Sequence, residues 1–344
     1  MKAVILTFSK VYNKGANLQA YSLMTILRSK GLDVEFLDIQ LPENYNIKGT
    51  LFSFVNNFFA RRFRRGVNMR FTRKYTSVKE LQKNPPVADI YIVGSDQVWN
   101  TQLTSRLDPR VYFFSFLPSN AKRIAYGASF GGKEWTRCQY DEEIKKLAGL
   151  FHSISVREEE GLRICSEVLG RKDAMLVLDP TLLINKKQLK ELAPTNKHKH
   201  QAYCYFLYRN EQTDLLADRV RTLFRLPSDN ESYFRKKMKM VCSIKRWLRN
   251  IQEAELVITN SFHCMVFAIL YQKEFVVLPP YPNREERMLS LLRILNLEYR
   301  YITSMDALEQ TDAKLSSKID YKKVFSLLNQ YRKSSFEFLD NSTI

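Results

Sequence analysis

Short apolar runs alternate along this chain with polar turns and with stretches whose apolar residues recur every three or four positions, the periods of buried strands and amphipathic helices. Ala3 to Phe8 reads as a strand, Asn13 to Asn17 as a turn, Leu18 to Lys30 as a helix with apolar Leu18, Tyr21, Leu23 and Leu27, and Val34 to Ile39 as a second strand. The alternation resumes with strands at Asp89 to Val93, Arg123 to Gly127, Ser153 to Val156 and Met175 to Leu178, and with helices at Asp141 to Gly149 and Glu160 to Leu169. A second group of strands is predicted at Tyr203 to Tyr208, Leu256 to Thr259 and Phe275 to Leu278, and Tyr321 to Phe338 reads as a closing helix. Strand and helix in repetition, with polar residues gathered at strand carboxyl ends, predict an α/β fold with mainly parallel sheets. Between the groups, Asn185 to His200 is polar and lysine-rich and is broken by Pro194, as a linker would be. The predicted organisation is a sheet domain over 1–185 carrying a basic amphipathic insertion at 47–75, a linker at 186–200, a second sheet domain over 201–318, and a helix within 319–344 that packs back on the first domain. The two domains are expected to face one another across a cleft.

One stretch, Glu255 to Gln272, organises the second group. Leu256-Val257-Ile258 is a buried strand, Thr259-Asn260-Ser261 a polar turn, and Met265 to Tyr271 an apolar helix that Thr259 or Asn260 can cap. In open parallel sheets the carboxyl edge is where helix N-termini bring unpaired N–H groups and partial positive charge together, so an anion is the expected guest. His263 stands in the first helical turn. Its placement is compatible equally with packing between helix and sheet and with chemistry at that edge.

Length and composition narrow the class. With 344 residues and 45% hydrophobic content the chain can bury two cores. A formal charge of +18, from 54 Lys and Arg against 36 Asp and Glu, points to anionic partners. From Asn44 to Lys79 there is no acidic residue, while Arg61, Arg62, Arg64, Arg65, Arg70, Arg73 and Lys74 interleave with Phe52, Phe54, Phe58, Phe59, Phe63 and Phe71. At 100° per residue, Leu51, Phe52, Phe54, Val55, Phe58 and Phe59 share one half of a helix. Such a helix can lie on anionic lipid, or can pack its apolar half on its own domain and leave its arginines solvated. The apolar run at the start is too short for a signal-peptide core, and no stretch has the length of a membrane span, so a cytoplasmic location is expected, with the inner face of the membrane as a peripheral site.

Cys138, Cys165, Cys204, Cys242 and Cys264 are widely spaced with no C-x-x-C pair and only four histidines beside them, which reads as reduced core thiols and builds no zinc site. Cys264 follows His263 directly, but neighbours on a helix point about 100° apart, which disfavours a Cys/His dyad. Gly15, between the first strand and helix, stands where backbone turns or passes close to a ligand. No G-x-G-x-x-G or G-x-x-x-x-G-K pattern supports a dinucleotide or P-loop site.

Five stretches taken together resemble the polysaccharide pyruvyl transferase family: Asn13-x-Gly15-Ala16-x-Leu18-Gln19-Ala20-Tyr21, Gly94-Ser95-Asp96-Gln97-Val98-Trp99-Asn100, Ser155-Val156-Arg157-Glu158, Leu178-Asp179-Pro180-Thr181-Leu182-Leu183 and Val257-Ile258-Thr259-Asn260-Ser261-Phe262-His263. They occur in the family's order, from about residue 2 to residue 302. The resemblance implies a fold similar to GT-B glycosyltransferases, with two Rossmann-like domains around a cleft and the acceptor on the N-terminal side. It also implies a reaction that moves the enolpyruvyl carbons of phosphoenolpyruvate onto sugar hydroxyls as a ketal, releasing phosphate. Arg157 and His263 match the catalytic or donor-contacting positions. Asn13, Gly15, Ala16, Gln19, Ser95, Asp96, Gln97, Trp99, Asn100, Asp179, Asn260, Ser261 and Arg287 are the expected substrate contacts. Three positions depart from the pattern: Lys14 where an aromatic is common, Ser261 where some members carry an arginine, and Cys264 in place of a glycine.

The residues suit that chemistry on independent grounds. Phosphoenolpyruvate carries a carboxylate and a phosphate, so its site needs cations and N–H donors, a proton for C3 and a base for the sugar hydroxyl. Arg157 at a strand end offers a planar fork, and Arg287 a second cation or an ordinary surface arginine. Asp96 and Asp179 are candidates for hydroxyl contacts or base, or are turn and helix caps. Neither a metal nor a cofactor is called for, phosphoenolpyruvate being a donor substrate. The expected partners are this donor, a sugar acceptor from surface or capsular polysaccharide synthesis, lipid-linked or free, and an anionic membrane surface, with no nucleic acid and an open oligomeric state. A nucleotide-sugar glycosyltransferase of the same fold is the first alternative, and a non-catalytic binder of anionic glycan, lipid or nucleic acid the second.

Overall fold

The strand β1 (Lys2–Leu6) is buried at four of its five positions and pairs in parallel with β2 (Asp33–Ile39) on one side and β4 (Ile90–Val93) on the other. A run of apolar residues without alternation needs cover on both faces, which a parallel sheet between helices supplies. The computed structural model describes residues 1–39, 51–194, 200–227, 241–282 and 284–343. Seven parallel strands form the first sheet in the order β3-β2-β1-β4-β5-β6-β7, with β3 at Phe71–Tyr75, β5 at Arg123–Ala128, β6 at Ser153–Val156 and β7 at Met175–Leu176. The order reverses at β1. The carboxyl ends of β1 and β4 flank that reversal, the place where open α/β sheets take ligands.

Helices α1 (Lys14–Ser29), α2 (Leu51–Gly66), α3 (Asp141–Gly149) and α4 (Glu159–Glu167) accompany this sheet. The first begins four residues before the position predicted from periodicity, because the Asn13 side chain accepts from the Ala16 N–H (3.1 Å) and caps it there. The basic stretch is not one insertion. Its first part is α2, but Phe71–Tyr75 is the edge strand β3, where Phe71 packs on Phe36 of β2 with ring centroids 5.7 Å apart. Residues 47–50 of the predicted insertion lie outside the described residues.

Within α2, neither half of the expectation holds uniformly. Arg64 is buried and its Nη1 donates to Asn17 Oδ1 (2.9 Å) and to the carbonyls of Ser9 and Val11 (3.3 and 3.4 Å). Burial, with Arg61 adding like charge, pushes its guanidinium down to about 10, so it stays charged at neutral pH. Phe63 meets Tyr21 edge-on at 5.9 Å, and Ala60 is buried beside them. Arg61, Arg62 and Arg65 are exposed, as are Phe54 and Phe58.

A second sheet holds β8 (His200–Tyr205), β9 (Ala254–Thr259) and β10 (Glu274–Val277), all parallel in the order β10-β9-β8. Its helices are α5 (Lys186–Leu192), α6 (Glu211–Leu223), α7 (Ile244–Glu253), α8 (Phe262–Leu270), α9 (Glu286–Ile294), α10 (Met305–Ser316) and α11 (Tyr321–Thr343). The segment that composition marked as a linker opens with α5. Asn185 and Gln188 form a reciprocal cap, which makes the lysines that follow helical. Residues 195–199 of that segment lie outside the described residues.

The chain divides into two compact units, Met1–Ile184 with Tyr331–Ile344, and Asn185–Gln330. The end of α11 thus belongs to the first unit. Arg332 Nε donates to the Leu182 carbonyl (2.7 Å), the Leu178 N–H donates to Ser335 Oγ (2.9 Å), and Phe338 lies against Tyr126. Among the described residues no helix is long and apolar enough to cross a membrane.

Arg123 opens β5 and is wholly buried, yet among the described residues it forms no ion pair with a carboxylate. Its guanidinium donates instead to the carbonyls of Leu117, Pro118, Ser119 and Ala121 at 2.8 to 3.1 Å, closing the turn that leads into the strand. Replacing it with methionine keeps length and burial but strands those acceptors. Arg123→Met is expected to lower unfolding stability by about 3 kcal/mol in urea titrations. A change below about 0.5 kcal/mol would contradict this account of the turn.

Candidate functional site

In the second unit, Thr259 at the end of β9 and Asn260 after it are tied to the segments that leave the neighbouring strands. Thr259 Oγ1 donates to the Tyr205 carbonyl (2.6 Å) and accepts from the Ser261 N–H (3.0 Å). Asn260 Oδ1 accepts from the Leu207 N–H (2.8 Å), and its Nδ2 donates to the carbonyls of Tyr208 (2.5 Å) and Pro279 (3.3 Å). One amide therefore joins the segments that leave all three strands. With both those side chains occupied, the cap of α8 falls to Ser261, whose Oγ accepts from the Cys264 N–H (3.5 Å), and not to Thr259 or Asn260 as the sequence suggested.

This arrangement leaves a cavity of about 340 Å³ at the carboxyl edge, lined by Leu207, Tyr208, Asn260, Pro280, Tyr281, Arg284 and Arg287. Two of these seven residues are cations and none carries a carboxylate. Arg284 sits 5.5 Å from the Tyr281 ring and Arg287 6.0 Å from the Phe262 ring, at distances where an aromatic face attracts a guanidinium. The Phe262 ring in turn meets the His263 imidazole edge to face at 5.2 Å. His263 is 7% exposed in the first turn of α8, where the helix N-terminus adds partial positive charge. The assembly is suited to an anion with more than one charged group. Its neighbour Cys264 is fully buried, and burial pushes that thiol up to about 12, so at neutral pH it is no nucleophile.

The first unit carries a different construction. Arg157 follows β6 with its side chain 1% exposed. Its Nη1 donates to Asp179 and to Ser95 Oγ (3.0 Å), its Nε donates to Glu158 Oε1 (3.1 Å), and its Nη2 lies 3.5 Å from Asp96 Oδ1. Burial by itself would lower the pKa of Arg157. The fields of Asp179, Glu158 and Asp96 outweigh it and hold the guanidinium above its ordinary value. Asp179 also accepts from the N–H and Oγ1 of Thr181 (3.0 and 2.6 Å), fixing the turn Pro180–Leu183. Of the three carboxylates Asp96 is the most exposed, at 15% against 7% and 0%. Its backbone has φ +79°, a left-handed value unusual for aspartate, held by hydrogen bonds that its carbonyl accepts from the N–H groups of Val98 and Ser129.

The other expected contacts divide by access to solvent. Ser95, Gln97, Trp99, Asn100 and Asp179 are all buried. Ser95 Oγ donates to Asp179 (2.9 Å), and Asn100 Nδ2 donates to Gln97 Oε1 (2.9 Å). Trp99 stacks on Phe113 at 4.9 Å with its Nε1 donating to the Tyr112 carbonyl, which are the contacts of a core residue. Gly131 has φ +80°, and a Cβ there would collide with Gln97 Oε1 and Asn100 Nδ2, so the loops after β4 and β5 interlock. At the strand reversal, Gln19 Nε2 donates to Thr7 Oγ1 (2.9 Å) and Thr7 Oγ1 to the Ser95 carbonyl (2.7 Å). Gly15 and Ala16 are buried in the first turn of α1, and Asn13 is exposed at its cap.

Arg284, Tyr208 and Tyr281 were not singled out from the sequence. The i,i+3 spacing of Arg284 and Arg287 was the available signal, since it puts both on one side of a turn. Among the described residues no group of three or more His, Cys, Asp or Glu side chains is placed to hold a metal ion.

The family model described as polysaccharide pyruvyl transferase matches residues 13–280. A comparison with curated proteins found no match. Among solved structures, Arabidopsis thaliana UGT89C1 complexed with UDP-L-rhamnose is similar with TM-score 0.54 and 11% identity, covering 99% of this chain and 97% of that one. UDP-GlcNAc 2-epimerase from Neisseria meningitidis, bound to UDP-GlcNAc, gives TM-score 0.51 and 10% identity, covering 99% and 100%. At these identities the likeness is one of fold, and the fold is that of GT-B glycosyltransferases.

The burial of Cys264 and Cys165, whose thiol is likewise pushed up to about 12, has a direct chemical readout. With iodoacetamide at pH 8, peptide mapping of the native chain is expected to find both unmodified while the half-buried Cys138, Cys204 and Cys242 react. Rapid labelling of Cys264 would contradict the packing described for α8.

Proposed function

We infer the reaction from one premise: the chain belongs to the polysaccharide pyruvyl transferase family. Membership makes it a transferase, and a sugar its acceptor. The donor we propose is phosphoenolpyruvate, bound in the cavity at the carboxyl edge of the second sheet, with sugar hydroxyls of a surface-polysaccharide precursor receiving the pyruvyl group as a ketal. The observation that carries this reading is the pairing of Arg284 and Arg287 on a cavity with no carboxylate among its described lining residues, beside the helix N-terminus that bears His263. A donor with a carboxylate and a phosphate presents two anionic ends to those two guanidinium forks.

The steps balance as follows. A proton reaches C3, turning the methylene into a methyl group and leaving C2 electrophilic. One sugar hydroxyl adds to C2; the second displaces phosphate. Of the two protons given up by the hydroxyls, one replaces that delivered to C3 and the other leaves with phosphate. His263 is assigned the proton delivery or the phosphate contact, being the imidazole in the first turn of α8. Asn260 is assigned a positioning role, because its amide is spent on Leu207, Tyr208 and Pro279. Arg157 holds the loops of its own unit in place through Asp179, Glu158 and Ser95, and Asp96 is the carboxylate there with most access to solvent.

Phosphate release from phosphoenolpyruvate with candidate glycan acceptors tests the reading. His263→Gln is expected to lower kcat by about 100-fold with little change in KM, the range for loss of a general acid. Arg284→Met and Arg287→Met are each expected to raise KM for phosphoenolpyruvate by about tenfold, the effect of losing one charge-assisted hydrogen bond. Unaltered kinetics in all three variants, or turnover of a nucleotide sugar in place of phosphoenolpyruvate, would reject the assignment.

A further inference from the structure

The basic helix α2 presents two faces that differ in kind. Ala60, Phe63 and Arg64 turn inward: Ala60 is buried, Phe63 meets Tyr21, and Arg64 is tied to Asn17, Ser9 and Val11. On the opposite side, Phe54, Phe58, Arg61 and Arg65 follow one another at spacings of four, three and four. At 100° per residue they fall within about 60° of arc and extend over about 16 Å of helix. Phe54 is 73% exposed and Phe58 56%, and Arg61, Arg62 and Arg65 are exposed beside them.

Two large aromatic side chains held in water on a helix whose inner face is anchored are a cost without a structural return, and solvation of the arginines does not account for them. No acidic residue lies between Asn44 and Lys79 to neutralise the arginines within the segment. A partner for this stripe must therefore accept both apolar rings and positive charge along one line. An anionic lipid surface does so: rings enter the boundary between headgroups and acyl chains while guanidinium groups stay with the phosphates. Nucleic acid would take the arginines but would seek aromatic faces for stacking on a sheet or in a groove.

We propose that the outer stripe of α2, formed by Phe54, Phe58, Arg61, Arg62 and Arg65, is the docking face of this protein for an anionic lipid surface. Arg64, which looks like part of the same cluster in the sequence, is not part of that face; it fastens the helix to the turn before α1. This inference does not rest on the pyruvyl transfer reading. It uses none of the residues assigned to that reaction, so its failure and the failure of that reading are separable.

The test is co-flotation of the full chain with vesicles of phosphatidylcholine alone or mixed with phosphatidylglycerol, at low and at physiological salt. Binding is expected only with the anionic vesicles and to weaken as salt screens the arginines. Phe54→Ser with Phe58→Ser, and separately Arg61→Gln with Arg62→Gln and Arg65→Gln, are each expected to reduce the bound fraction by at least about tenfold. Both variants should keep the parent's thermal midpoint, since all five side chains are exposed. A control of equal charge change, Lys186→Gln with Lys187→Gln and Lys190→Gln on α5, should bind as the parent does. The proposal is overturned if the parent ignores the vesicles, if the lysine control loses as much binding as the arginine variant, or if the phenylalanine variant binds undiminished. Self-association of the parent that the phenylalanine variant abolishes would give the stripe to a second copy of the chain and would also overturn it.

Discussion

A single guanidinium, that of Arg157, sits where four segments of the first unit end: the loops after β4 and β6, the turn after β7, and, through Asp96, the bridge to the end of β5. Three carboxylates in one buried place would repel each other and face a large desolvation penalty alone. The cation converts that repulsion into attraction, and Ser95 and Thr181 satisfy lone pairs that it does not reach. Removing either sign leaves the other buried without compensation, so the loops are held by charges that depend on one another. Asp96 pays part of the cost in a left-handed backbone, and the interlock of Gly131 with Gln97 and Asn100 depends on the same loop.

The second unit reaches a comparable result with neutral groups. There the Asn260 amide spans three strand ends, and the fixed loops leave an open pocket lined by cations. The contrast is physically informative. Arg157 lies among Asp96, Glu158 and Asp179, whereas Arg284 and Arg287 line a cavity with no carboxylate among its described lining residues. In α2 a similar distinction separates neighbours in sequence: Arg64 is anchored by an asparagine and two carbonyls, and Arg61, Arg62 and Arg65 reach solvent.

Much of the fold was legible because strand and helix periods are local properties. The runs around Ser153 to Val156 and Asp141 to Gly149 fall where periodicity placed them. Errors arose where a side-chain hydrogen bond or an edge contact decided the outcome. Asn13 drew α1 four residues earlier, a reciprocal cap made a helix of lysine-rich sequence, and pairing with β2 made a strand of Phe71–Tyr75 at the end of the predicted basic insertion. Among the candidate site residues, the motifs marked loops at strand ends, but a motif does not tell a buried polar group from an accessible one. Trp99 and Ser95 are embedded in their own unit, and Tyr208, Tyr281 and Arg284, which no motif marked, line the cavity.

The sequence by itself determined the α/β class, the parallel strands with polar carboxyl ends and the cationic excess, because each of these follows from composition or from spacing along the chain, and its five motifs carried the resemblance to the family. Only the tertiary structure decided which charges are spent inside the protein and which face outward. That depends on distances between residues far apart in sequence: 22 positions separate Arg157 from Asp179, 62 separate it from Ser95, and 47 separate Arg64 from Asn17. Burial strengthens such pairs and removes them from solvent, and no local pattern records it.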